Sequence, residues 1–254
     1  MSDEATKDGA TGREAPGLPE IDLREWGGKK DGQRQVLDRR LFMQLLVFDV
    51  DRSTSFGAAR DMVVQALGNA RVPHVIYEDA MATRGLGVLT WSEKPETFVT
   101  QAHPALREMP MAQRDGWAMI GRTYAIGHEP DLEHAILKRS IEYVMLPDFP
   151  WHVWYPLRRN GDFERLEKHH QSMILREHAA IGMAYGRTGM AHDVRLACHG
   201  LDAGDNEFMI GLIGKELHPL SHLVQTMRHT EQTSQYIAKM GPFFDGHAVH
   251  RGGV

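Results

Sequence analysis

Apolar residues recur along this chain with two distinct periods. Phe163, Leu166, His170, Met173, Ile174, His178, Ile181 and Tyr185 return at steps of three and four. That spacing predicts an amphipathic helix over residues 162–185 with His178 on its inward stripe. A second helix is predicted over 217–236, where Leu220, Val224, Met227 and Glu231 share a face. Between them, residues 194–199 and 207–213 read as two strands joined by Gly200-Leu201-Asp202-Ala203-Gly204-Asp205-Asn206, a turn-rich run. Period two puts Val194, Leu196 and Cys198 on one face and Arg195, Ala197 and His199 on the other.

The first half follows the same grammar. Residues 41–48, apolar except for Gln44, predict a buried strand, and Phe56, Ala59, Val63, Ala66 and Leu67 mark a helix after it. Strands at 72–77 and 87–91, a helix at 95–108 and a strand at 117–124 complete the order strand, helix, strand, strand, helix, strand, which is ferredoxin-like. The second half repeats that order: a strand at Val153, the helix through His178, the strand pair around Gly200, the helix through Arg228 and a short strand at Phe243. The halves share no sequence repeat. The expected fold class is α+β, with tandem ferredoxin-like units at 36–145 and 146–254 whose antiparallel sheets join into one barrel-like layer with helices outside. Residues 1–35 are rich in Gly, Pro and charge and poor in aliphatics, and read as a mobile leader.

Composition narrows the class without naming a reaction. With 254 residues and 42% hydrophobic content the chain can bury a substantial core. A net charge of −5 and a pI near 6.3 leave no footprint for nucleic acid. No apolar run reaches the length of a membrane span, and the N-terminus has no signal-peptide core, so a cytoplasmic protein is expected. The lone Cys198 has no internal disulfide partner, which fits a reducing compartment. The 15 His residues include no close pattern of two His plus a carboxylate on one helix face, the arrangement zinc would need. Gly211-Leu212-Ile213-Gly214-Lys215 lacks the spacing and hydroxyl residue of a phosphate loop and reads as strand and turn.

Five polar residues fall where core residues are expected: Tyr155, His178, Arg195, Arg228 and Glu231. A neutral imidazole on an apolar stripe is either a hydrogen-bonded core residue or an axial ligand to a metal or haem iron. A carboxylate on such a stripe needs a partner. For Glu231 that partner is the free ring N–H of a ligating His, or else water or a nearby Arg. Arg195 beside the small Ala197 suits a pocket wall that holds an anion; a solvated sheet face has the same pattern.

Further runs bring a known family into view. Trp154-Tyr155-Pro156-Leu157-Arg158-Arg159, Arg176-Glu177-His178 with Gly182 and Tyr185, Gly200-Leu201-Asp202, Glu207-Phe208, Met227-Arg228 with Glu231, and Gly241-Pro242-Phe243-Phe244-Asp245-Gly246 occur in that order. Together they resemble the chlorite dismutase family, which includes the coproheme decarboxylases of bacterial haem synthesis. The resemblance is dense over residues 151–246 and compatible in fold over 41–143.

The resemblance implies an iron porphyrin, haem b or coproheme, with His178 as the proximal iron ligand and Glu231 as the carboxylate that hydrogen-bonds it. Arg195 matches the distal position when the strand pair is aligned without gaps back from Glu207-Phe208. Chlorite-degrading members carry Arg there, whereas decarboxylases carry Gln or a small residue. Tyr155 matches the tyrosine that decarboxylases use as a radical relay to the propionates. Arg228 matches a propionate contact, and Arg159 stands where a Lys usually helps to hold a propionate. The interval from His178 to Arg195 is longer than the family's. Peroxide-driven decarboxylation of coproheme to haem b is therefore the expected reaction, with chlorite conversion to chloride and dioxygen as the alternative and a non-catalytic haem-binding protein as a third reading. The resemblance also implies a ring of identical subunits, a pentamer. Trp151 and Trp154 are expected to be packing residues near the pocket.

Overall fold

The structure is a computed structural model that describes residues 18–253. A hairpin, β1 (Glu25–Lys30) and β2 (Gln33–Leu37), comes first. The first half continues with β3 (Phe42–Val50), α1 (Phe56–Asn69), β4 (His74–Asp79), β5 (Gly85–Ser92), α2 (His103–Arg107) and β6 (Met111–Arg122). A π-helical turn leads into α2, and another into α3 (Arg139–Val144). The second half holds β7 (Trp151–Arg159), α4 (Asp162–Arg165), α5 (Lys168–Arg187), β8 (His192–Ala197), β9 (Phe208–Gly214), α6 (Leu217–Met227), α7 (Glu231–Tyr236), β10 (Ile237–Met240) and β11 (Phe244–Gly252).

Within the nine-stranded sheet the first half contributes the neighbours β6-β3-β5-β4 and the second β11-β7-β9-β8. In each half the last strand lies beside the first and the third beside the second, the ferredoxin-like arrangement that the element order predicts. The halves meet along β4–β11 and through a single pair, Arg122 with Ala197, between β6 and β8. Pairing of β7 with β9 closes the order on itself. The fold is thus α+β, one large antiparallel sheet with ring-like hydrogen bonding and helices against it.

A sheet covered on both sides reads as continuous apolar sequence, and β3 is the clearest case. Its Met43, Leu45 and Val47 point into a core shared by both halves, while Leu46, Phe48 and Val50 meet α1 and α2. In the second half Trp154, Met209, Ile213, Val194 and Leu196 join the shared core. Trp154 is fully buried there and lies opposite Gly211 in the β7–β9 register. A Cβ at Gly211 would press on the indole, 2.6 Å from Cη2. The glycine is therefore the hole that the tryptophan fills.

His152 and Tyr77 supply the polar pair of this core. His152 Nε2 lies 3.1 Å from the Phe149 carbonyl, which can only accept, so the ring proton sits there and Nδ1 accepts from the Tyr77 hydroxyl at 2.9 Å. Burial pushes the His152 imidazole down to about 3.

Several sequence expectations change in the structure. The leader reading is corrected for residues 25–35, which belong to the hairpin; residues 1–17 lie outside the described residues. Polar contacts anchor it beside Leu37, which packs on Leu132, Ile136 and Leu137. The Gln35 amide donates to the carbonyls of Gly28, Glu129 and Pro130, its oxygen accepts from Leu132 N–H, and Glu25 accepts from Ala125 N–H. The helix expected over 162–185 breaks at Leu166 and Glu167 into α4 and α5, and the helix expected over 217–236 breaks between Met227 and Glu231. Both β6 and β11 are longer than their apolar segments. Both ends of β6 pair with β3, around an irregularity at 114–117, and β11 is held between β4 and β7.

Gly211→Ala is expected to cost about 1–3 kcal/mol, the price of overpacking a tight core site, read as a lower urea midpoint with unchanged slope. The His152 shift also sets a sign for pH dependence. Unfolded chains take up the imidazole proton below about pH 6.5, and the folded protein resists it down to about 3. Stability conferred by this group is thus present above pH 6.5 and falls as pH drops, by about 2 kcal/mol at pH 5 relative to pH 7. Urea unfolding at the two pH values is expected to show that much less acid sensitivity in His152→Gln.

Candidate functional site

The outer face of the second half's sheet builds an apolar layer with Tyr155, Asp193 and Arg195 set into it. Val153 and Tyr155 of β7 and Ile210 and Leu212 of β9 point to this side, where Ile181 and Tyr185 of α5 and Leu220, Leu223, Val224 and Met227 of α6 pack on them. Register extends the layer to β8: Asp193 lies opposite Leu212, and Arg195 opposite Ile210. Ile210 is also the partner of Tyr155. Tyr155 and Arg195 therefore flank one residue from either side, about 10 Å apart at two strand spacings.

Tyr155 is 6% exposed and stacks on Phe243, with ring centroids 4.6 Å apart. Burial pushes its phenol well above the usual value; the Asp193 carboxylate adds to the rise and the Arg228 guanidinium opposes it. The hydroxyl thus keeps its proton at any ordinary pH.

His178 is half-buried on α5, and its Nδ1 is buried with no hydrogen-bond partner among the described residues. Burial holds the imidazole below its ordinary pKa, and the positive Arg195 acts in the same direction, against Asp193 and Glu177. The ring is neutral at pH 7, with a lone pair on one of its two nitrogens. On the expected inward stripe of this helix Ile174 is buried, whereas Met173 is 53% exposed.

Arg195 lies 2.8 Å through Nε from Asp193 Oδ2, an ion pair whose approach is off the axis of a proper hydrogen bond. Both side chains are about two-fifths exposed, so the pair adds no more than about 1 kcal/mol to stability. Its effect is electrostatic. Asp193 escaped the sequence reading because the strand was expected to start at Val194, although the alternation that places Arg195 places Asp193 beside it. Tyr124 was missed too; its phenol is raised by burial and feels Arg195, Arg159, Asp193 and Arg139.

Arg228 lines a cavity of about 480 Å³ together with Val153, Val224 and Phe243. Among the described residues it has no ion pair, and it is a cation open to a ligand.

Two expected site residues are otherwise engaged. Arg159 was expected to face a ligand carboxylate, but Glu207 and Glu164 hold its guanidinium at 3.1 and 3.2 Å, and Phe163 and Phe208 sandwich it. Its charge is already compensated. Glu231 was expected to accept from His178; its Oε1 is instead 3.2 Å from His170 Nε2, and its backbone N–H donates to Glu177. The helix break is the cause. Thr230 caps a new helix by accepting from the Thr233 N–H, which takes Glu231 off the α6 stripe and turns it toward the first turn of α5.

None of the curated proteins matches the chain in sequence. Among solved structures it is similar to a haem-binding protein from Thermus thermophilus, with 16% identity and a TM-score of 0.64 over 84% of this chain and 92% of that one. It is similar as well to the chlorite dismutase of Candidatus Nitrospira defluvii in complex with imidazole, with 12% identity and a TM-score of 0.63 over 84% and 93% of the two chains. At such identities the likeness speaks for the fold. The sequence pattern described as Chlorite dismutase matches residues 131–249. That segment, a little under half of the chain, holds Tyr155, His178, Asp193, Arg195 and Arg228, and over it the chain is similar to the chlorite dismutase family.

Proposed function

We propose that this protein is a haem-dependent oxidoreductase whose substrate is coproheme, decarboxylated at its propionates to haem b with peroxide as oxidant. The side chains present fit an iron porphyrin. His178 is a neutral imidazole with a lone pair to give, the walls are Val153, Ile210, Leu212, Ile181 and Met227, and Arg228 is an unpaired cation for a carboxylate. The haem-binding relative from Thermus thermophilus supports the same ligand class.

Bound iron supplies the redox centre at which peroxide is reduced to water. The chain's residues then have separable tasks. His178 holds the porphyrin from the α5 side. Arg228 anchors a propionate by a charge-assisted contact. Tyr155 relays oxidising equivalents: its phenol gives up an electron and a proton, takes a hydrogen atom back from the propionate methylene, and is restored. Each cycle turns a propionate, a peroxide and a proton into a vinyl group, carbon dioxide and two waters. Arg159, with its charge already paired, serves the fold rather than the propionates.

The observation that carries this reading is Tyr155 itself, buried and protonated in the layer that His178 faces and within electrostatic reach of Arg228. A chlorite-converting enzyme is the second reading, and Arg195 favours it, because a distal guanidinium can confine anionic oxygen.

Ferric coproheme and peroxide added to the purified protein are expected to give stepwise mass loss in the porphyrin. Tyr155→Phe should slow that loss about 100-fold while porphyrin uptake persists, and His178→Ala should abolish the absorption spectrum of the bound ferric porphyrin. Unchanged decarboxylation in Tyr155→Phe sinks the relay; oxygen release from chlorite without porphyrin mass loss selects the second reading; uptake without either reaction leaves a haem carrier. Arg228→Gln is expected to weaken coproheme binding about 10- to 100-fold, as befits a lost charge-assisted contact, in a titration followed by absorbance.

A further inference from the structure

Asp193 precedes Arg195 by two residues on β8 and shares its face. Its Oδ2 lies 2.8 Å from Arg195 Nε. The nearest approach is through Nε, and the guanidinium makes no hydrogen bond among the described residues. The charges that bear on the His178 ring are Arg195 on one side and Asp193 and Glu177 on the other. Asp193 also bears on Tyr155, against Arg228. It is thus the carboxylate common to both groups.

An unpaired guanidinium beside an open coordination position attracts anions, and more strongly as the site becomes drier. A carboxylate in contact with that guanidinium changes the field to that of a near-neutral dipole. An anion then has to displace Asp193 or sit beside its negative charge. An uncharged oxidant meets neither obstacle, and the free Nη groups can still donate hydrogen bonds to it.

Resting on the reading of a ferric porphyrin held by His178, we propose that Asp193 is a positioning residue: it holds Arg195 against β8 and cancels its charge, so that the site admits uncharged peroxide and disfavours anionic oxidants of the chlorite type. The arginine that speaks for chlorite is in this chain a paired one. Asp193 acts through Arg195, without touching the substrate.

The test uses the protein loaded with ferric porphyrin and compares it with Asp193→Asn, a replacement of equal size at a half-exposed position. Azide and fluoride serve as anionic probes of the iron and imidazole as a neutral one, each titrated by absorbance. Asp193→Asn is expected to bind azide and fluoride on the order of tenfold more tightly, with imidazole affinity changed less than about twofold. Adding Arg195→Gln to Asp193→Asn should remove the gain. Equal shifts for all three probes, or none, overturn the proposal while His178-dependent porphyrin uptake leaves the haem reading in place. Failure of the protein to take up ferric porphyrin overturns both.

Discussion

The alternation of side chains across β7, β8 and β9 is the constraint on which the site depends. These strands pack on both faces, with the Asp193–Arg195 side of β8 partly open, so each residue is committed either to the core shared by the two halves or to the side of α5 and α6. Trp154 and Gly211 lock the first face by filling one another's space. Once Trp154 points inward, Tyr155 can only point to the helices, and the register carries Ile210 and then Arg195 to the same side. A slip of one residue would exchange the two sets and move the tyrosine into the enclosed core.

Charge in this layer is distributed more sharply than residue types alone suggest. Three arginines were candidates for holding an anion, and the structure gives them three different states. Arg159 is held by two carboxylates between aromatic rings, Arg195 is paired to one carboxylate through Nε, and Arg228 has no ion pair among the described residues. Only the last has no carboxylate within ion-pair distance among the described residues, although Asp245 lines the same cavity. The neutral His178 and the protonated Tyr155 both follow from the same dry surroundings, since burial disfavours the charged form of each.

Much of the site was legible from strand and helix periods. The faces of Arg195 and of Leu196 and Cys198 follow from period two, and the packing of Ile174, Ile181 and Tyr185 from the helical one. What the periods missed is instructive. Asp193 fell one residue outside the expected strand, because polar strand ends look like loop. Residues 25–35 of the hairpin were read as leader because amide and carboxylate contacts hold them, which leave no apolar stripe.

Local sequence determined most of the elements and the tandem ferredoxin-like order, because backbone periodicity and turn residues act over a few positions, but not the first hairpin or the two helix breaks. Tertiary structure decided which polar groups meet. Glu231 is a stripe residue on a continuous helix, but it belongs to His170 once Thr230 caps a fresh turn. Arg159 looks free in sequence, and Glu207, 48 residues away, neutralises it. Ion pairs join residues that are distant in the chain and close in space, so they are set by how the strands align and by where the helices break.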